Sequence, residues 1–248
     1  RLTAARVSRL PIMTTANIQR IIETVWRIES ARLIAALARL VNDVGLAEDL
    51  AQDALVIALE QWPAAGIPRN PGAWLMTAAR RRAIDRIRRE QMAERKYAEI
   101  GHALDEKEGM MAAYFETGVG VGADAEDAEA DENMLRLMFT ACHPVLSTEA
   151  RVALTLRLVG GLTTAEIARA FLTPEATIAQ RIVRAKRTLA EAKVPFTLPP
   201  DVERTARLGS VLAVIYLIFN EGYTATAGDD WMRPSLCEDA LRLGRILA

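Results

Sequence analysis

Aromatic residues make up only 5% of this 248-residue chain, and there are just two cysteines and two histidines. Cys142 and Cys237 lie far apart in a helical pattern. That excludes a disulfide framework and makes a reducing, cytoplasmic setting the expectation. His143 follows Cys142 directly, but the other histidine is His102, and no ligand spacing suits a metal. No cofactor is expected. Phosphate-binding glycine loops and nucleophile–base pairs are missing as well, so the chain reads as a binding protein rather than an enzyme. The most apolar run, VLAVIYLIF at 211–219, has about half the ~20 residues that span a bilayer and reads as a buried helix. There is no initiator methionine. Met13 reads as the start, with residues 1–12 an upstream remnant, and residues 1–13 are set apart from the first domain as that remnant or a disordered beginning. The chain stops inside a periodic pattern, and the native protein is expected to continue.

What is present is half apolar residues (51%) and a quarter charged ones (25%), enough for real cores. Alanine, leucine, arginine and glutamate dominate, without sustained β-branched alternation. The expectation is an all-α protein of two small helical domains and a joining linker. The net charge of −1 hides a strong asymmetry. Residues 80–96 hold eight basic and three acidic residues, and residues 103–132 hold ten acidic residues and one lysine. Local charge of this kind sets the field that a polyanion feels.

Apolar residues at three- and four-residue steps, from Ile18 through Ile28 to Leu40, predict a helix over 15–42. A second is predicted over 45–62, ended by Pro63, and a proline- and glycine-rich turn follows it. A third starts near Pro71 and carries ARRRAIDRIRRE at 79–90, six arginines in twelve positions. Its Leu75, Ala79, Ala83 and Ile87 form a row that can pack, while Arg81 and Arg88 share another face. These elements define a domain over 14–97. Residues 98–131, glycine-containing and acidic, read as a flexible linker. A second domain is expected over 132–195, with Ser147 or Thr148 capping a helix, and further helices over 196–248.

Within that second domain, LTTAEIARAFLTPEATIAQRIVRAKRTL reads as a helix-turn-helix. Thr163 can cap its first helix, and Thr173 with Pro174 can cap and start the second. Ile178, Ile182 and Ala185 face inward. Thr177, Gln180, Arg181, Arg184 and Lys186 are left for a DNA major groove, with polar residues in the first turns and cations along the rest.

The helix-turn-helix and AEDLAQDALVIALEQW…PRNPGAWLMTAARRRAIDRIRRE occur in order with an acidic segment between. Together they resemble regions 4 and 2 of a bacterial RNA polymerase sigma factor of the sigma-70 family, extracytoplasmic-function group, over about residues 15–190. DENMLRLMFTACHPVLS and LAVIYLIFNEGYTAT resemble a subgroup with a helical, tetratricopeptide-like C-terminal extension. The piece of that extension present here is expected to pack on region 4, since repeats need stacked copies.

The resemblance implies core RNA polymerase and promoter DNA as partners, and no membrane. Whether an anti-sigma protein exists stays open. Glu48, Asp49, Gln52 and Asp53 match the surface that docks on the polymerase. Arg69, Asn70, Trp74 and Thr77 match the part that captures melted bases of the minus-ten element, and Arg80, Arg81 and Arg88 the part along the non-template strand. Thr177, Gln180, Arg181, Arg184 and Lys186 match the reader of the minus-thirty-five element.

Three departures stand out. Arg81 and Arg82 replace Asn and Leu, and Ala179 replaces a common Lys. Leu172 replaces the glycine of the helix-turn-helix turn, so that turn is expected to be wound differently.

Competing readings stand beside this one. The arginine stretch could be a solvated face paired with Asp85 and Glu90, and Trp74 an ordinary core residue. The whole chain could be a stand-alone helix-turn-helix regulator or a helical repeat scaffold.

Overall fold

A computed structural model describes residues 15–98, 123–223 and 234–247. Residues 1–14, His102, most of the expected linker and residues 224–233 lie outside the described residues. Nine helices are described, and among the described residues there is no strand.

Helices α1 (Thr15–Val41), α2 (Val44–Ala65) and α3 (Pro71–Ala98) form the first unit. Ile18, Ile22, Leu33 and Leu37 of α1 are buried. Ile28 is 63% exposed, against expectation, because at 100° per residue it falls roughly 80° from Ile18 around the helix. The α1–α2 turn is tight. Asn42 takes a left-handed φ of +52°, which asparagine tolerates. Asp43 then caps α2, its carboxylate accepting from the amides of Gly45 (2.7 Å) and Leu46 (3.0 Å). Pro63 does not end α2, which continues to Ala65. In the last turn a proline forfeits one helical hydrogen bond, and the stop comes from Gly66 at φ +86°, whose amide donates to the carbonyl of Trp62.

Helix α4 (Ala123–Ala141) begins inside the expected linker. Its ADAEDAEADE start alternates acids with alanine, the best helix former, and the acids are compatible with helix as well as with disorder. Met134, Leu137 and Met138 of α4 are buried in the same core as α1, and Arg39 of α1 pairs with Glu129. The two units therefore share one contiguous core rather than hanging on a free tether.

Helix α5 (Thr148–Leu158) is capped by Ser147, whose hydroxyl accepts from the Ala150 amide, and it buries most of its length. Helices α6 (Thr164–Ala170) and α7 (Glu175–Glu191) follow, then the hairpin of α8 (Asp201–Tyr223) and α9 (Pro234–Leu247). Only one stripe of VLAVIYLIF is buried (Val211, Val214 and Ile218), while Leu212 and Tyr216 are exposed. The hairpin sits on the second unit through two arginines. Arg207 donates to the Phe139 carbonyl (3.0 Å). Arg242 donates to the Val159 and Gly160 carbonyls (3.2 and 3.1 Å), satisfying acceptors left open at the α5 C-terminus.

Candidate nucleic-acid interface

The helix-turn-helix is built from local chemistry. Thr163 and Glu166 form a capping box at the start of α6. The turn into α7 keeps a left-handed residue, Leu172 at φ +48°. The expectation of a different winding is thus corrected: the backbone holds its positive φ with a leucine that is 65% exposed. Thr173 does not cap α7. Its hydroxyl donates to the Phe171 carbonyl (3.0 Å), and Pro174 stands at the N-cap without a side-chain bond.

Ile178, Ile182, Ala185 and Leu189 bury one face of α7. Thr177, Gln180 and Arg184 are exposed, and Arg181 is half-buried. Lys186 differs from its expected place on the DNA-facing side. It turns toward α2, where its ammonium is in ion-pair contact with Glu48 Oε2 and lies 3.9 Å from Asp49 Oδ1.

Glu48 is the matching surprise. Expected on an exposed docking face, it is 2% exposed. Its Oε1 accepts from Arg157 Nε of α5 (2.6 Å) and from Gln52 Nε2 (2.8 Å). Burial alone raises its pKa, but Lys186 and Arg157 together outweigh burial and hold the carboxyl below its usual 4.5. Asp49 and Asp53 remain exposed on α2, and Gln52 is half-buried. Arg157 was not singled out in the sequence. Its signal was one charge inside the apolar LTLRLVGG.

On α3, Leu75, Ala79 and Ala83 are buried while Arg81, Arg82 and Arg88 are exposed. Among the described residues none of these three has an ion-pair partner, so Asp85 does not neutralise them. Arg80 is separated from them: it is half-buried in a small crevice lined by Leu37, Met76, Glu129 and Asn133. Arg69 and Thr77 are exposed, the Thr77 hydroxyl donating back to the Ala73 carbonyl. Asn70 is engaged as the cap of α3, its Oδ1 accepting from the Ala73 amide (3.0 Å). Trp74 packs edge-on against buried Trp62.

Cys142 is buried, its sulfur 3.4 Å from the Thr155 hydroxyl, and burial pushes its thiol up to about 11. His143 is held below 6.5 by burial and by Arg207 and Arg151. Among the described residues, no group of three or more His, Cys, Asp or Glu is placed to hold a metal, and no helix is long and apolar enough to cross a membrane.

Comparison with known proteins matches residues 27–92 to sigma-70 region 2 and residues 136–189 to sigma-70 region 4. Residues 207–248 match a family of unknown function, DUF6596. An uncharacterized protein of Rhizobium meliloti (strain 1021) is 40% identical over 218 residues, covering 86% of this chain and 48% of that protein. The chain thus spans about half the length of that relative. The ECF RNA polymerase sigma factor SigK of Mycobacterium ulcerans (strain Agy99) is 33% identical over 164 residues, covering 64% of this chain and 78% of that protein. SigK of Mycobacterium tuberculosis (strain H37Rv) is 31% identical over 163 residues, with the same coverage. No solved structure matches the chain. With both sigma regions in order and most of a curated sigma factor covered, the chain belongs to the ECF RNA polymerase sigma factors of the sigma-70 family.

Proposed function

We propose that this chain binds core RNA polymerase in the cytoplasm and directs promoter recognition and melting, by binding alone and without a reaction or cofactor of its own. One observation carries the reading. Helix α3 buries Leu75, Ala79 and Ala83 and leaves Arg81, Arg82 and Arg88 exposed without ion-pair partners among the described residues, in the same chain as a helix-turn-helix that exposes Thr177, Gln180 and Arg184. Arg81 and Arg88 neutralise phosphates of the melting strand. Arg69, exposed in the turn before α3, and Thr77, exposed in its second turn, offer polar groups to unstacked bases. Thr177, Gln180, Arg181 and Arg184 read the upstream duplex. Asp49 and Asp53 offer the carboxylates for polymerase docking, with Gln52 beside them.

The test is the double variant Arg81→Ala/Arg88→Ala. Permanganate reactivity of melted thymines should fall about tenfold, as expected for loss of two phosphate contacts under moderate salt. Co-elution with core polymerase should be unchanged. Full promoter opening by this variant would remove the role given to α3.

A further inference from the structure

Residues of both units converge on one carboxylate. Glu48 of α2 is shared by Arg157 of α5 and Lys186 of α7, and its side chain is 3% exposed. Elsewhere the two units meet through the apolar contact of α1 with α4 and the Arg39–Glu129 pair, and nearer this point the contacts are polar. Arg27 pairs with Glu166 at 2.8 Å in a more exposed position, Asn42 Oδ1 accepts from the Phe196 amide at 3.0 Å, and the buried Ser30 hydroxyl has no partner. A buried carboxylate with two cations fixes one register of two surfaces, because any other arrangement strands a charge away from water.

We propose that Glu48, Arg157 and Lys186 form a latch that holds the two sigma regions closed on one another and masks part of both working surfaces at once. The functional meaning rests on the sigma reading. Lys186 is drawn off the DNA-facing side of α7, and Glu48 is withdrawn from the acidic face of α2. The closed form also cannot span a promoter. Elements centred near minus ten and minus thirty-five are about 25 base pairs apart, roughly 85 Å at 3.4 Å per step, whereas a compact chain of this length has a radius of gyration near 18 Å. The latch must therefore break when both elements are engaged. A cationic polymerase surface that takes Glu48, or a DNA phosphate that takes Lys186, frees the other partner. By linkage, polymerase docking and duplex binding then favour one another.

The test uses the whole chain without polymerase. Arg157→Glu sets a second carboxylate against Glu48 while leaving every residue assigned to DNA or polymerase in place. Two quantities are read: the radius of gyration by small-angle X-ray scattering, and affinity for a labelled duplex of arbitrary sequence by fluorescence anisotropy. The variant should expand by about a quarter or more over the compact value and bind duplex roughly three- to tenfold more tightly, since a masked site binds in proportion to its open fraction. The swap Glu48→Arg/Arg157→Glu/Lys186→Glu sets opposite charges against one another at both contacts again and should return the radius of gyration to the original.

If Arg157→Glu loses helical circular dichroism, Arg157→Gln is the second variant. It keeps a donor for the Leu162 carbonyl that Arg157 now holds at 3.2 Å, and should shift both readings the same way by a smaller factor. Variants as compact as the parent, or expansion that the swap fails to reverse, would overturn the latch. Neither reading uses polymerase or a promoter, so failure here is distinct from failure to support initiation.

Discussion

Trp74 meets Trp62 edge to face, with ring centroids 5.4 Å apart and planes at 70°. Trp62 is 1% exposed and closes the core at the end of α2. The pair fixes where α3 leaves the Gly66 turn, and so where the arginine face points. Trp62→Ala should cost about 3–5 kcal/mol of unfolding free energy, the usual penalty for emptying an aromatic core site. Trp74→Phe should cost about 1 kcal/mol and leave DNA affinity within a factor of two, since an edge contact survives. Urea unfolding of both variants checks this, and a large loss of DNA affinity in Trp74→Phe would return that ring to the DNA surface.

Leu172 carries a left-handed backbone at the centre of the helix-turn-helix turn. Its side chain is largely exposed, so little packing is lost on removing it. Leu172→Gly should stabilise the protein by about 1 kcal/mol: relief of the αL penalty slightly exceeds the added freedom of the unfolded chain. A lowered midpoint of thermal unfolding would contradict this account of the turn.

Acid should weaken the fold in two stages. His143 is held below 6.5 by burial and by its arginine neighbours, and its Nδ1 accepts from the Val145 amide (3.2 Å). The unfolded chain therefore takes up a proton first, and stability falls as the pH drops below 6.5. Glu48 and Glu166 follow. Burial raises each, but cations outweigh it at Glu48, and at Glu166 the Thr163 amide and hydroxyl outweigh it together with Arg27 and Arg169. Their contribution is full above 4.5 and is lost as the pH falls through the lower folded values. Calorimetric melting from pH 8 to pH 3 should show a shallow decline and then a steeper one. His143→Asn, which keeps an acceptor for Val145, should remove the first.

The helices were legible because their apolar residues recur at helical spacing and prolines and glycines punctuate them. Pro63 misled, because a proline in a last turn is tolerated and Gly66 is the stop. The acidic start of α4 misled because charge pattern alone does not tell an alanine-rich helix from a coil. On the candidate surfaces, Arg81, Arg88, Thr177, Gln180 and Arg184 lie exposed as their helical positions suggest. Glu48 and Lys186 do not. Each looks like a surface charge within its own helix, and only the fold brings Glu48 to Arg157, 109 residues away. Asn70 likewise reads as a loop residue until its cap on α3 is seen.

The most direct test of the central claim is run-off transcription by purified core polymerase on a library of promoter fragments, with and without this chain. The account predicts transcripts that appear only with the chain and start at a fixed distance from a shared two-part sequence. No chain-dependent initiation, together with duplex binding in the absence of polymerase, would contradict it and point to a helix-turn-helix regulator acting alone.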